Sequence, residues 1–435
     1  MRFLRRRKRR ACVVGLDGVP FHLLKRLADT SVMPRTAGII AEGGLRQMRA
    51  ALPPVSSVSW SSFMTGANPA EHGIFGFTDV APDSYQLRFP TFGDLAVPTF
   101  WDRLGESGLR CTVINQPATY PARRMPGAIV SGFVALQLAN SVWPAEHLPA
   151  LERIGYRIDV DSQKARQDPD GLLDDLEATL ETRRQAARYF WERERWGYFQ
   201  VVVTGTDRLH HFLWSAVEQE DDPRHDRAMS YYRAVDGFIG ELWDWFHKEQ
   251  PAGQEGEGFV LLSDHGFTGV RQDVRLNAWL RESGYLHYAK DDPTSVADIA
   301  PGTRAFALDP GRIHVNVKGR FGRGCVEPED ARELRDEIAG RLLQLECDGE
   351  RAIARVFTRE EIFEGHKLDL APDLVAISRN GFDLKGTTKG SEVCADTHFQ
   401  GMHTWEDAFV WSRLPVPDEP EIADLAGGIV EWLCG

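Results

Sequence analysis

The chain has 435 residues, of which 42% are apolar and 26% charged, with a net charge of −13. That composition can bury a large core, and the acidic balance argues against nucleic acid as the main partner, because nucleic-acid binding needs a basic face. The length allows up to about three domains, although α/β enzymes often run this long as one unit. Six cysteines (Cys12, Cys111, Cys325, Cys347, Cys394 and Cys434) are scattered with no CxxC, a usage that predicts reduced thiols in a cytoplasmic protein rather than a disulfide framework.

Residues 1–10, with Arg and Lys at positions 5 to 10, form a basic tail. We expect it to be solvated and disordered; the alternative is a weak electrostatic contact with an anionic membrane surface. The apolar run from Ala11 to Leu16 is too short to span a bilayer and is broken by Asp17, so it reads as a buried strand. Asp17-Gly18-Val19-Pro20 then turns into a helical segment from Phe21 to Gly43 with a break near Pro34. A second strand is expected over Leu45–Ala51.

Pro53-Pro54 disfavours helix before it and allows one to start after it. Ser56 or Ser57 would then lie at the helix N-terminus, where free N–H groups and the dipole favour an anion such as phosphate. A hydroxyl there is a cap or a nucleophile. Residues 75–100 are aromatic and rich in Pro and Gly, and read as a long loop lining something. A helix over Pro98–Ser107 and a strand over Leu109–Asn115 follow, and Pro169–Arg195 has the composition of a long helix. Tyr198–Val203 is the strongest strand pattern in the chain and runs into Thr204-Gly205-Thr206-Asp207-Arg208-Leu209-His210-His211. Arg224–His247 is helical, and Gly258–Ser263 is a buried strand ending in Asp264-His265-Gly266. Further strands are expected near Ile313–Val317, Ala352–Thr358 and Pro372–Ile377, with helices over Pro328–Leu345 and residues 420–433. Strands alternating with helices predict an α/β fold: a mostly parallel sheet with helices on both faces, and an accessory insertion within 290–360.

Three predicted strands end in turns carrying Asp17, Asp207 with His211, and Asp264 with His265. Ligands of open α/β sheets gather at the carboxyl ends of strands, so these residues are expected to converge. Asp207 and His211 share one helix face at four-residue spacing. His403 follows Gly401 in what reads as a turn. His210 points off the Asp207–His211 face and is expected to be structural. His72 should fix loop geometry, and His314 reads as one face of a strand. Trp60, Phe63, Phe75, Phe77 and Trp214 are candidates for an apolar pocket wall, with core packing as the competing role.

The ordered set Leu16-Asp17-Gly18, the Pro-rich lead into Ser56, Thr65-Gly66 with Pro69 and His72-Gly73-Ile74, Asp207 to His211, Ser263-Asp264-His265-Gly266 and Gly401-Met402-His403 resembles the alkaline phosphatase superfamily. The specific resemblance is to its type I phosphodiesterase/nucleotide pyrophosphatase branch, from Val13 to about Val410. It implies that Asp207, His211 and His403 hold one metal ion and that Asp17, Asp264 and His265 hold another. The family has its nucleophilic hydroxyl nine residues before the Thr of Thr-Gly, so the resemblance implies Ser56, nine before Thr65, as nucleophile and metal contact, where the pyrophosphatases usually have Thr. The branch also carries an Asn three residues after the nucleophile that binds a phosphate oxygen; here Ser59 stands at that place, a departure, and is the substrate contact the resemblance implies.

Mixed His/Asp ligation suits Zn²⁺, with Mn²⁺ as the second choice. Two such ions ~4 Å apart would serve an in-line displacement on a small-molecule phosphate ester through a phosphoserine intermediate. A sulfatase is disfavoured, since no cysteine begins a Cys-x-Pro-x-Arg motif. A cofactor-independent phosphomutase and a metal-stabilised binding protein remain the alternatives.

Overall fold

The computed structural model describes residues 9–250 and 256–435; most of the basic tail lies outside them. Side-chain alternation decides where the first strand sits. In Ala11–Leu16, Ala11 and Val13 face one apolar core while Cys12, Val14 and Leu16 face another, because successive side chains leave opposite faces of a strand. A strand apolar on both faces belongs inside a covered sheet. It pairs in parallel with Tyr198–Val203 on one side and Phe259–Leu262 on the other.

The central sheet has eight strands. Their spatial order is Leu45–Met48, Ala408–Ser412, Phe259–Leu262, Ala11–Leu16, Tyr198–Val203, Cys111–Gln116, Gly127–Ser131 and Val142–Trp143. The five inner strands run parallel, and the outer ones pair antiparallel. Helices Phe21–Asp29, Pro34–Ala41, Pro169–Arg193, Gly205–Glu218 and His225–Glu249 pack into one core. Ser56–Thr65, Phe100–Glu106 and Asp424–Cys434 pack into the other. This is the mostly parallel α/β sheet, covered by helices on both faces, that the alternating pattern predicts.

Gly266–Arg275, directly after the Asp264-His265 turn, is a ten-residue strand that sequence reasoning did not anticipate. Its polar, Gly-interrupted sequence gives it little apolar alternation. It pairs with Gly401–Thr404, placing His403 opposite Phe267. His403 thus stands in a strand, not in the expected turn. Beyond it, Ala305–Leu308, Arg312–Val315, Leu374–Ser378 and Ile353–Thr358 form an antiparallel sheet. Helices Leu276–Glu282 and Ala331–Leu342 share its core, which draws on residues from Val80 to Leu384, a wider span than 290–360.

Cys347 and Cys394 form a disulfide across a sequence separation of 47. The expectation of six reduced thiols fails for this pair; Cys12, Cys111, Cys325 and Cys434 are free. The bridge also removes the thiol argument for a cytoplasmic location. At the edge of the basic tail, Arg9 lies over the Trp432 ring at 4.4 Å and Arg10 over Trp196 at 4.7 Å. No helix among the described residues is long and apolar enough to cross a membrane.

Candidate two-metal active site

The parallel strands deliver their acidic turns to one edge of the sheet. Asp17 follows the first strand, and its backbone carbonyl accepts from Thr206 Oγ1 at 2.6 Å, which ties this turn to the next one. Trp60 Nε1 donates to Asp17 Oδ2 at 3.3 Å. Gly18 donates its N–H to Asp264 Oδ1 at 3.0 Å. Its φ of +66°, together with His265 Cε1 only 3.1 Å from where a Cβ would sit, makes any other residue here strained and crowded.

Ser56 is the first residue of its helix. The N-cap is Val55, which provides no side-chain cap; its carbonyl takes the Val58 N–H, which leaves the Ser56 and Ser57 N–H groups at the helix mouth without a side-chain cap. Ser56 Oγ donates to Asp17 Oδ1 at 3.1 Å and lies 3.2 Å from His265 Nε2. Ser57 Oγ and Ser61 Oγ are buried and find no hydrogen-bond partner. Ser59 is fully buried, with its Oγ accepting from the Ala51 N–H at 3.3 Å.

Three histidines present the same atom to the cluster. His403 Nδ1 is 3.0 Å from the Pro54 carbonyl, His211 Nδ1 3.2 Å from that of Gly401, and His265 Nδ1 3.0 Å from that of Gly266. A carbonyl only accepts, so each Nδ1 carries the proton and each Nε2 lone pair points inward. Around Asp207 Oδ1, His403 Nε2 is at 3.2 Å and His211 Nε2 at 3.4 Å, while the two Nε2 atoms are 3.0 Å apart. Around His265 Nε2, Asp264 Oδ2 is at 3.4 Å and Asp17 Oδ1 at 3.6 Å. The two trios adjoin, since His265 Nε2 is also 4.0 Å from Asp207 Oδ1.

This donor set fits divalent cations. Two inward lone pairs at 3.0 Å repel unless a cation lies between them, and Asp264 Oδ2 is fully buried without a hydrogen-bond partner. Burial and the neighbouring Asp264 and Asp207 push Asp17 well above the usual carboxylate range. Burial, reinforced by Asp207, raises Asp264 to about 7. Burial also works against Asp207, yet in the acid range where it would titrate, the then-protonated His211, with the His403 contact and Arg208, holds it well below its ordinary value. Burial lowers His211 to about 4 and takes His265 well below its usual value, keeping both neutral as ligands must be.

The neighbouring residues divide between structure and site. His210 donates from Nδ1 to the Gly18 carbonyl at 2.8 Å and meets the Tyr232 hydroxyl with Nε2, a scaffold role. His314 stacks on Phe306 in the accessory core. Trp60, Phe63, Phe75 and Trp214 are buried packing residues, while Phe77 does line the cleft. Sequence reasoning missed Trp60 as a donor to Asp17, and Arg208, whose guanidinium contacts Asp207 Oδ2 at 3.0 Å.

His72 Nδ1 accepts from the Ile74 N–H at 3.1 Å, so its Nε2–H donates to Ser62 Oγ at 3.0 Å. It locks the loop after the Ser56 helix and is no base. Burial lowers it to about 3, against about 6.5 in the unfolded chain. Above pH ~6.5 it therefore leaves stability unchanged. Between ~6.5 and ~3 the unfolded chain takes up a proton that the fold refuses, so stability is lost as the pH drops through that window. Compared with wild type, His72→Gln should flatten the pH slope of the unfolding free energy by up to about 1.4 kcal/mol per pH unit in that window. Identical slopes in chemical denaturation from pH 4 to 6 would contradict this assignment.

A cleft of about 1080 Å³ opens beside the first trio, with His211 and His403 in its wall. His211, His403, Pro54 and Val55 line it, as do Ile377 and Ser378 of the accessory sheet and Phe382 and Lys385 of the strand Gly381–Lys385, which pairs with Gly266–Arg275. Its size and mixed lining suit a small organic ester.

A hydroxyl at an uncapped helix mouth, set against paired Asp/His trios at the carboxyl edge of this sheet, defines the class: a phosphoric ester hydrolase of the alkaline phosphatase superfamily. The chain belongs to the type I phosphodiesterase/nucleotide pyrophosphatase family, whose model matches residues 11–406. No curated protein matches. Among solved structures, phosphonoacetate hydrolase from Sinorhizobium meliloti 1021, in complex with phosphonoformate, is similar over 98% of this chain and 96% of its own, with a TM-score of 0.65 and 19% identity. An inactive variant of murine ectonucleotide pyrophosphatase/phosphodiesterase 5 in complex with AMP covers 98% of this chain and 95% of its own, at TM-score 0.56 and 14% identity. The human form of that protein has the same coverage, at TM-score 0.55 and 12% identity.

Proposed function

We propose that this protein hydrolyses phosphodiesters or related small-molecule phosphate esters with two divalent ions, Zn²⁺ as first choice and Mn²⁺ as second, through a phosphoserine on Ser56. The observation that carries this reading is the position of Ser56 Oγ, within 3.2 Å of both Asp17 and His265 at an uncapped helix N-terminus. Asp207, His211 and His403 would hold one ion; Asp17, Asp264 and His265, with Ser56 Oγ, would hold the other. Bound there, the ions supply positive charge that favours an ionised serine and a departing alkoxide.

The chain's own groups do the rest. The hydrogen bond to Asp17 fixes the Ser56 rotamer and keeps Oγ at the helix mouth beside His265 Nε2. The Ser56 and Ser57 N–H groups at the helix mouth receive the non-bridging phosphate oxygens. The Oγ–P bond forms as the P–O bond to the leaving alcohol breaks, and the serine proton passes to solvent in the cleft. Water then attacks the phosphoserine, breaks the Oγ–P bond and restores the Ser56 hydroxyl.

The test is turnover of a generic nitrophenyl diester and monoester by protein stripped with a chelator and reloaded with Zn²⁺ or Mn²⁺. Nitrophenol release that depends on the added ion, with net formation of phosphoryl product, is the expected result. Transfer to a second hydroxyl without net release would point to a phosphomutase. Protein that holds no divalent ion and gains no activity from either one would end the two-metal reading.

A further inference from the structure

Arg208 makes a contact that its helical position does not predict. Adjacent helix residues do not face one another, yet the Arg208 guanidinium folds back to donate from Nη1 to Asp207 Oδ2 at 3.0 Å. Its Nε and Nη2 both donate to Asp159 Oδ2, at 3.0 and 2.7 Å. The guanidinium also lies 4.3 Å over the Phe133 ring, and Phe133 packs edge-on against Phe77 of the cleft. Both Arg208 and Asp159 are largely buried, with side chains 13% and 15% exposed.

The two oxygens of Asp207 are thereby divided. Oδ1 faces the Nε2 atoms of His403, His211 and His265. Oδ2 is held by Arg208. We propose that Arg208, itself held by Asp159, is a positioning residue that makes Asp207 a one-oxygen ligand of the His211/His403 ion; this rests on the two-metal reading above. Without the fork, Asp207 Oδ2 would be a buried oxygen lacking a donor, and the carboxylate would be free to turn. The arrangement needs a planar group that bridges two carboxylates at once, which a lysine ammonium does not reproduce. It also ties the segment carrying Asp159 to the ion pocket.

Ion affinity, measured by competition with a chromophoric chelator, tests this without reference to turnover. Wild-type protein should bind two Zn²⁺ ions. Arg208→Gln should weaken one of them by about 10- to 100-fold, the usual effect of removing a partner of a metal ligand, and leave the other within about threefold. Asp159→Asn should weaken the same ion less, and Arg208→Lys should fail to restore it. In a His211→Ala background, which retains only the Asp17/Asp264/His265 ion, adding Arg208→Gln should change nothing. Activity of Arg208→Gln should return to within a few-fold of wild type at saturating Zn²⁺, with kcat rather than KM tracking ion occupancy. Unchanged affinity for both ions, or equal weakening of both, would overturn the proposal while leaving the two-metal reading intact. A wild type that binds no ion would overturn both.

Discussion

Ser56→Ala should lower turnover by about 10⁴-fold or more, with fold and ion content retained. The stability term is small because Ser56 is not the helix cap. Val55 occupies that place without a capping side chain, so the ~1 kcal/mol cost of losing a cap does not arise. The hydroxyl lost is the one hydrogen-bonded to Asp17 beside His265. Its serine neighbours give the control. Ser57 Oγ has no partner to lose, so Ser57→Ala should stay within a few-fold of wild type. Ser59→Ala strips the acceptor from the Ala51 N–H. That should cost about 1–3 kcal/mol of stability, and a rise in KM on top of it would support the substrate contact implied for Ser59. Steady-state kinetics and thermal unfolding of the three variants separate these outcomes. Near-normal activity in Ser56→Ala with loss in Ser57→Ala would move the nucleophile by one residue. Activity in both would replace the covalent route with direct attack by water.

The parts of the site that could be read from the sequence are those set by local rules. Asp17, Asp207 and Asp264 each follow an apolar run that can only be an inner strand, and inner parallel strands open their carboxyl ends to one edge. His211 came with Asp207 because four residues make one helical turn. His403 could be named by its place in an ordered motif but not placed in structure. Its strand, Gly401–Thr404, is four residues long and pairs with Gly266–Gly269, more than 130 positions earlier. Neither segment carries the apolar alternation that marks a strand.

Partners far apart in sequence were equally hidden. Trp60 reaches Asp17 across 43 positions, Arg208 reaches Asp159 across 49, and Cys347 reaches Cys394 across 47. In each case the fold, not the local pattern, makes the neighbour. The accessory core was underestimated for the same reason. Its sheet combines strands on either side of the Ala331–Leu342 helix, and only the pairing shows where it ends.

Removal of the divalent ions is expected to have the other large effect, on stability as well as on rate. Stripped protein keeps three buried carboxyls and three inward-facing imidazole nitrogens with nothing between them. Turnover should fall by at least about 10³-fold, as the charge that stabilises nucleophile and leaving group is lost. Each ion held at 100 times its dissociation constant adds about 2.7 kcal/mol to the folded state, so two independent ions add roughly 5 kcal/mol.

The pH dependence has a definite sign. In stripped protein the Asp17 carboxyl lies well above its ordinary value and that of Asp264 is raised to about 7, against about 3.9 in the unfolded chain. A raised folded pKa means that the native state holds a proton the unfolded chain has released. That contribution is fully present below about pH 4 and is lost as pH rises through about 7. Ligation runs the opposite way, because the ions need both carboxylates ionised and expel those protons. The difference in unfolding temperature between Zn²⁺-loaded and stripped protein should therefore widen from pH 5 to pH 8. Asp264→Asn, which cannot ionise, should flatten most of that trend and bind one ion fewer. Scanning calorimetry of both proteins in both states, at matched free Zn²⁺, measures each quantity; a gap that is constant with pH, or equal in Asp264→Asn and wild type, would exclude Asp264 as a ligand.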